Sequence, residues 1–490
     1  MDFQYLCSTY PCDKDYPSRT FKLQALTRVI EGKMYESLLY NFAQEQNEGT
    51  GEYIPLHKRR PSVRYNLSRT VVDDSVSLLF SEGHFPSVDC KDETTRDALE
   101  LIIKDSGLNE VLIDAATRGS VGSVAILMRV LKNRVFWLVM PTACLTPEWD
   151  PQAPDTLLRI TEQYKVPGEV LKAMGYAIEA KDMKQNFWFR REWDDKAETW
   201  FLPLLVSEQK EGKKFLKDKA KTTTHSLGFV PLVWVKNLPG GDDVDGAPTM
   251  PSEAIDTQIE IDYQLSQCGR GLRYSSDPTL HIKQPALSGD SMVAGAGRAI
   301  ITDVLGDAKL LEINGTAVAA VIDYVRAARE LALETAHGNR SNADKLSAAT
   351  SGRAMELMNQ SLIWLADKLR ISYGEGALLE LLGMVVKARS KFKLVDRKGR
   401  KIEELNDKED VSLRWPQWYA PTYADKMTQA TTLDTLRLAG LISQETGVKS
   451  LAEGYDIEDP EDEIRKIAAS PPPPNAKVPA EPKPGGDSSD

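Results

Sequence analysis

Between Gly315 and Ala388 the chain carries two strongly helical stretches separated by a polar interruption, and this order limits the folds open to it. In the first, Thr316 to His337, the residues Val318, Val321, Ile322, Val325 and Ala332 are offset from a charged stripe of Asp323, Arg326, Glu330, Glu334 and His337. That spacing predicts an amphipathic helix, roughly 33 Å long at 1.5 Å per residue. The interruption, Gly338 to Gly352, has a glycine at each end and two cations inside, Arg340 and Lys345. Helical character returns at Arg353 and continues to Ala388, with Ser351 placed to cap its start. Gly374 and Gly376 predict a bend or short break in it.

The 490 residues carry a formal net charge of −11. This argues against a free-standing nucleic-acid binder, which gathers Lys and Arg to neutralise phosphates. The five cysteines form no CxxC pair, so neither a disulfide framework nor a zinc knuckle is expected and a reducing compartment fits best. Met1 to Tyr16 contains Asp2, Asp13, Lys14 and Asp15 without an apolar core, which predicts no secretory signal. The most apolar run, Ala377 to Val386, is short and contains Glu380, so no membrane span is expected.

Taken in order, residues 17–47 read as one polar helix, and Lys58-Arg59-Arg60 as a solvated surface loop. Further helices are predicted over Asn66–Phe80, Thr94–Asp105 and Leu108–Arg118. Then SVAILMRVL and RVFWLVMP, joined by Lys132-Asn133, read as a hairpin; a second begins with NFWFRREW, and GFVPLVWVKN supplies another strand. Helices followed by antiparallel strands make an α+β class, mainly helical. Gly240 to Gly246, with Asp242, Asp243 and Asp245, lacks the alternate ligands and closing Glu of a calcium loop and reads as an acidic linker.

Pro251 to Leu272 predicts a helix on which Glu253, Asp256 and Glu260 fall within about 60° of one another, while Ile255, Ile259 and Ile261 are free to pack. A Gly-rich region of short β-like pieces runs from Tyr274 to Gly315. Strands are expected over Phe392–Val395 and Val411–Trp415, a helix over Tyr423–Leu438, and two more opening at Ser443 and Asp459. The Pro-rich tail, 470–490, is too poor in apolar residues to pack.

Sequence signatures of catalysis are missing: there is no P-loop, HExxH or GxSxG, and the five histidines have no metal-ligand spacing. No enzyme, cofactor or metal is therefore expected. One rival reading is a nucleic-acid enzyme whose carboxylates meet only in space, and another is a capsid scaffold protein without a channel.

The order of elements, with SGRAMELMNQSLIWL opening the long helix, resembles the portal proteins of tailed bacteriophages, of siphophage type. ATRGSVGSVAILMRV is similar to that family's wing passage from helix to strand, and LRLAGLISQETGVKSL followed by DPEDEIRKI to its C-terminal pattern. The resemblance implies a ring, usually of twelve subunits, around a central channel at one capsid vertex. It further implies a wing at 1–245, a first stem helix at 246–272, a clip at 273–315 and a second stem helix at 316–337. A tunnel loop would follow at 338–352, then the long wing helix and strands at 353–419 and a crown at 420–469. Arg340 and Lys345 would face double-stranded DNA, and Glu253, Asp256, Glu260, Glu330 and Glu334 would form an acidic stripe along the channel. Expected partners are other copies of the chain, DNA, the terminase large subunit, a head-completion or adaptor protein, and the major capsid and scaffolding proteins, with no membrane. The expected location is the virion, after assembly in the host cytoplasm.

Overall fold

The computed structural model describes residues 1–276, 279–285, 302–311, 316–338, 352–402, 405–406, 408–419, 423–452, 457 and 459–469. They fall into two units, one of residues 1–340 and 359–418, the other of 341–358 and 419–490. Helices and strands are mixed in the first unit, whereas the described elements of the second are helices.

The first unit opens with α1 (Phe3–Thr9), α2 (Ser18–Ile30), β1 (Tyr40–Asn41), β2 (Arg59–Arg60), α3 (Leu67–Phe80), β3 (Ser87–Asp89), α4 (Glu93–Ser106) and α5 (Leu108–Gly119). The single helix expected over 17–47 stops at Ile30 instead. Gly32, at φ 71°, lets its own N–H reach the Val29 carbonyl and that of Lys33 the Arg28 carbonyl. This left-handed closure terminates a helix, and the Glu-Gly-Lys that marks it is visible in the sequence.

Next come β4 (Ser123–Leu131) and β5 (Arg134–Pro141). The expected hairpin is present, with Lys132 and Asn133 both at positive φ, as a two-residue turn between twisted strands requires. Then follow β6 (Leu145–Trp149), β7 (Leu157–Pro167), α6 (Gly168–Ala173), β8 (Asn186–Trp193), β9 (Ala197–Trp200), β10 (Leu204–Leu205), α7 (Val206–Lys210), β11 (Thr223–Thr224) and β12 (Leu232–Lys236). Sequence reasoning missed β6 and β7, whose residues mix charges and threonines among the apolar positions.

Two antiparallel sheets result, ordered β12-β4-β5 and β11-β9-β8-β7-β6, with β10 on β8. Strand β4 is buried on both faces because side chains alternate along it. Val124, Ile126 and Met128 join the main core with Leu112, Leu381 and Val385, while Ala125 and Leu127 meet Ile160, Trp193 and Trp234 in a second core. The unbroken apolar run of β4 is thus the signature of a strand covered on both sides.

After β12 come α8 (Ser252–Ser276), β13 (Thr279–Pro285), β14 (Thr302–Leu311) and α9 (Thr316–Thr335); β13 and β14 pair antiparallel. The next helix, α10 (Gly352–Met358), belongs to the second unit. In the first unit α11 (Gln360–Leu369) runs through a π-helical segment, Arg370–Leu378, into α12 (Leu379–Lys391), and β15 (Ser412–Arg414) pairs with β3. In the second unit α13 (Tyr423–Leu438), α14 (Gln444–Ala452) and α15 (Pro460–Ala469) follow.

The bend expected at Gly374 and Gly376 is this π-helical segment. Widening of the helix there seats Trp415, since a Cβ on Gly374 would fall 2.3 Å from its ring. Arg370 covers the rings of Trp418 and Trp415 at 3.2 and 4.6 Å. Gly374→Val is expected to expel Trp415 and to cost about 1–3 kcal/mol, the usual penalty for overpacking; a urea midpoint equal to that of the wild type would contradict this packing. The strand expected at Phe392–Val395 reduces to a single bridge between Val395 and Lys401.

Two charged segments also depart from expectation. Arg59, read as part of a solvated loop, is fully buried. Its guanidinium donates to the Phe42 carbonyl at 3.2 Å and to the Tyr53 hydroxyl at 2.8 Å, beneath the rings of both residues. Asp245, read as part of a plain linker, is 3 % exposed and receives Arg19 through two hydrogen bonds of 2.6 and 2.7 Å, together with the Ser123 hydroxyl. Arg19, distant in sequence, thus replaces water at Asp245, whereas a carbonyl and a nearby hydroxyl do so at two nitrogens of Arg59 and leave its Nε without a partner among the described residues.

Candidate functional site

At 25 residues α8 extends about 37 Å, and Pro251 precedes its first turn. Its buried face is Ala254, Ile255, Gln258, Ile259, Ile261, Asp262, Tyr263 and Ser266. The expected packing of the three isoleucines is therefore observed, but a polar row lies among them. Gln258, Asp262 and Ser266 succeed one another at intervals of four and so stack on one side of the helix.

Each takes a backbone N–H from the segment leading into α3. Gln258 Oε1 accepts from Ser68 N–H at 2.9 Å, Asp262 Oδ1 from Tyr65 N–H at 2.6 Å, and Ser266 Oγ from Val63 N–H at 3.0 Å. The Ser68 donor belongs to the first turn of α3, one of the groups a helix leaves without an internal partner. Asp262 Oδ2 also accepts from the Tyr35 hydroxyl at 2.8 Å, and Tyr263 donates to the Arg59 carbonyl at 2.6 Å. Burial pushes the Asp262 carboxyl up from 3.8 to about 7, against the downward pull of the Tyr65 N–H, the Tyr35 hydroxyl and Arg64. This row escaped sequence reasoning, although its spacing inside an isoleucine-bearing face was a usable signal.

The acidic residues chosen from the sequence lie elsewhere on the helix. Glu253 is exposed, and Asp256 and Glu260 are half-buried. Asp256 Oδ1 accepts the Phe3 N–H at 2.6 Å, placing a carboxylate at the positive N-terminal end of α1. Glu260 accepts from Gln264 Nε2 at 2.7 Å.

Helix α9 packs beside α8, burying Ala328, Ala332, Leu333 and Ala336 and leaving Glu330 and Glu334 exposed. It closes with His337 at φ 52°, while Gly338 N–H reaches the Leu333 carbonyl at 2.8 Å and His337 N–H the Glu334 carbonyl at 3.1 Å. His337 thus stands at the helix end, as its position in the sequence predicts. Gly338 is buried against Val71 of α3. Since Gln258, near the start of α8, and Gly338, just past the end of α9, both touch the first turns of α3, the two helices run in opposite directions. Arg340 and Lys345 lie outside the described residues.

Among the described residues no cluster of three or more His, Cys, Asp or Glu could hold a metal ion, and no helix is long and apolar enough to cross a membrane.

No match was found among curated proteins. Among solved structures, a chain in the virion of a native gene transfer agent particle is 13% identical at a TM-score of 0.38, covering 79% of this chain and 88% of that one. A chain in the neck of the native particle, computed with C12 symmetry, is 13% identical at 0.40, covering 80% and 95%. A chain in the neck of the empty particle, computed with C6 symmetry, is 11% identical at 0.39, covering 79% and 88%. These likenesses are remote, and the family assignment stands without them. The sequence profile of the family described as "Phage portal protein, SPP1 Gp6-like" matches residues 11–470, and on that match, which takes in every element from α2 to α15, the chain belongs to the phage portal protein family.

Proposed function

We propose that this protein assembles into a ring, of twelve subunits, at one vertex of a virion capsid, and that double-stranded DNA enters and leaves through its central channel. The family match over residues 11–470 carries this reading. Helix α8 as far as residue 272 and α9 form the stem in it, and the end of α8 and the β13–β14 hairpin belong to a clip at 273–315 that meets the terminase large subunit. A head-completion or adaptor protein and the major capsid and scaffolding proteins would be further partners. The wing comprises 1–245 and 353–419, and the crown 420–469. The role is structural rather than catalytic.

Electrostatics favours this use. A channel that moves duplex DNA must not hold it, because each neutralised phosphate adds affinity that every step would have to break. An acidic wall repels the backbone and keeps the duplex mobile, in keeping with a net charge of −11. Glu253, Asp256, Glu260, Glu330 and Glu334 divide between that wall and ion pairs linking subunits, while Arg340 and Lys345, in the tunnel loop at 338–352, provide sparse contacts to DNA.

Electron microscopy of the purified chain tests the ring: closed rings with a central hole are expected, and monomers with metal-dependent DNA cleavage would replace this reading with an enzyme. For the loop, Lys345→Glu is expected to reduce the DNA retained in filled heads severalfold. Unchanged packaging, retention and ejection would remove Lys345 from the channel.

A further inference from the structure

Beside the far half of α8 lies a cavity of about 430 Å³ whose lining includes Arg60, Arg64, Arg270 and Arg273. Among the described residues that line it, Glu45 is the one acid, so there four cations face one anion in a chain that is acidic as a whole. Two of the arginines are anchored by backbone carbonyls. Arg60 donates to those of Leu38 and Glu36, the latter at 3.2 Å, and Arg64 donates to that of Pro61 at 3.4 Å. Arg270 forms an ion pair with Glu45. The cavity therefore already seats one carboxylate, and guanidinium groups, which bind carboxylates through two parallel N–H donors, suit it to more.

We propose that this cavity receives Asp323 and Glu330 from α9 of a second copy of the chain, forming the ion-paired contact between neighbouring subunits. The proposal rests on the ring reading above and deepens it. A ring that closes head to tail joins two different patches of each protomer, which must be complementary to one another. Asp323 and Glu330 are exposed, and residues seven apart on a helix lie within about 20° of each other and about 10.5 Å apart along the axis. Among the described residues Asp323 pairs with Arg326 at 3.4 Å, with both side chains about three-quarters exposed, and a pair so exposed contributes little.

The heights agree as well. Arg64 adjoins Val63, whose N–H meets Ser266, and Arg273 lies seven residues further along α8. On the antiparallel α9, Arg329 stands over the Tyr65 ring at 5.8 Å, which puts Glu330 near the level of Arg64. Asp323, seven residues away toward the hairpin, then comes near the level of Arg273. Rotation about an axis running along the helix pair preserves such levels from one subunit to the next. This assignment takes Glu330 off the channel wall. A concave cavity suits side chains delivered by a helix better than the evenly spaced phosphates of a duplex.

The test compares the full-length wild type, Arg64→Glu with Arg273→Glu, Asp323→Arg with Glu330→Arg, and the four changes together. Ring fraction is measured by native mass spectrometry and negative-stain microscopy at low and high salt, and far-UV circular dichroism checks folding. Each one-sided reversal should lower the ring fraction about tenfold, and the fourfold swap should restore it. Rings undiminished in Arg64→Glu with Arg273→Glu would overturn the proposal while leaving the ring reading intact. So would a fourfold swap that is folded but rescues nothing, or undiminished rings that have lost affinity for duplex DNA, which would make the cavity a phosphate site. A wild type that stays monomeric would overturn both.

Discussion

Asp245→Ala should cost about 3–5 kcal/mol of folding stability, the range for breaking a buried ion pair by removing one partner. The carboxylate is almost fully covered, while Arg19 retains 21% side-chain exposure, which places the expected loss toward the lower end. After the change Arg19 would keep its bonds to the carbonyls of Thr142 and Leu145, both 2.9 Å, but its Nε and Nη2 would lose their acceptor, and the Ser123 hydroxyl one of its own. The loss would reach beyond the pair. Gly246 N–H, next along the chain, donates to the Gly122 carbonyl at 2.9 Å, so Asp245 fixes the segment from which α8 departs against the start of β4. Denaturant unfolding of Asp245→Ala measures the effect, and Arg19→Met with Asp245→Leu provides the control. The double variant should be more stable than Asp245→Ala, because it leaves no orphaned charge. A single variant within 1 kcal/mol of the wild type, on the order of an exposed pair, would refute a structural role for the ion pair.

The second large effect depends on pH. The folded protein holds the Asp262 carboxyl at about 7, against a usual value of 3.8, so between those values the folded state keeps a proton that the unfolded state releases. This contribution is complete below about pH 4 and declines as pH rises toward 7, by up to about 1.4 kcal/mol per pH unit, then levels off once both states are ionised. Asp262→Asn should abolish the slope. The amide oxygen can accept the Tyr65 N–H while the amide nitrogen donates to Tyr35, whose hydroxyl turns to accept. Urea midpoints at pH 5 and pH 8 decide the matter through the difference between wild type and variant, which cancels the other titrating groups. The variant should gain on the wild type as pH rises, and a difference constant across that interval would rule out the buried proton.

Much of the backbone was legible because its signals are local. Lys132-Asn133 between two apolar runs specifies a tight turn, and isoleucines at helical spacing specify the packed side of α8. The family's order of elements was legible for the same reason, since it needs only the succession of periodic stretches. The polar residues were not legible in this way. Gln258, Asp262 and Ser266 look like ordinary surface positions until the donors arrive from Ser68, Tyr65 and Val63, which lie 190, 197 and 203 residues away. Asp245 and Arg59 were misread on the same ground, because a charge within a charged run looks solvated from its neighbours alone.

The sequence by itself determined the helices α8 and α9 and the packed isoleucines of α8, the hairpin of β4 and β5, and the family to which this chain belongs, whereas of the apolar face read on α9 only Ala332 is buried and Ile322 is exposed. Each is written in residue type and spacing, which backbone geometry converts directly into helix, strand and exposed face. Only the tertiary structure decided which carboxylates are buried, which are engaged and which remain exposed, and it alone gathered Arg60, Arg64, Arg270 and Arg273 around one cavity. The cost of burying a charge or polar group depends on the partners that replace its water, and for Asp245 and Asp262 those partners lie between 122 and 227 residues away along the chain.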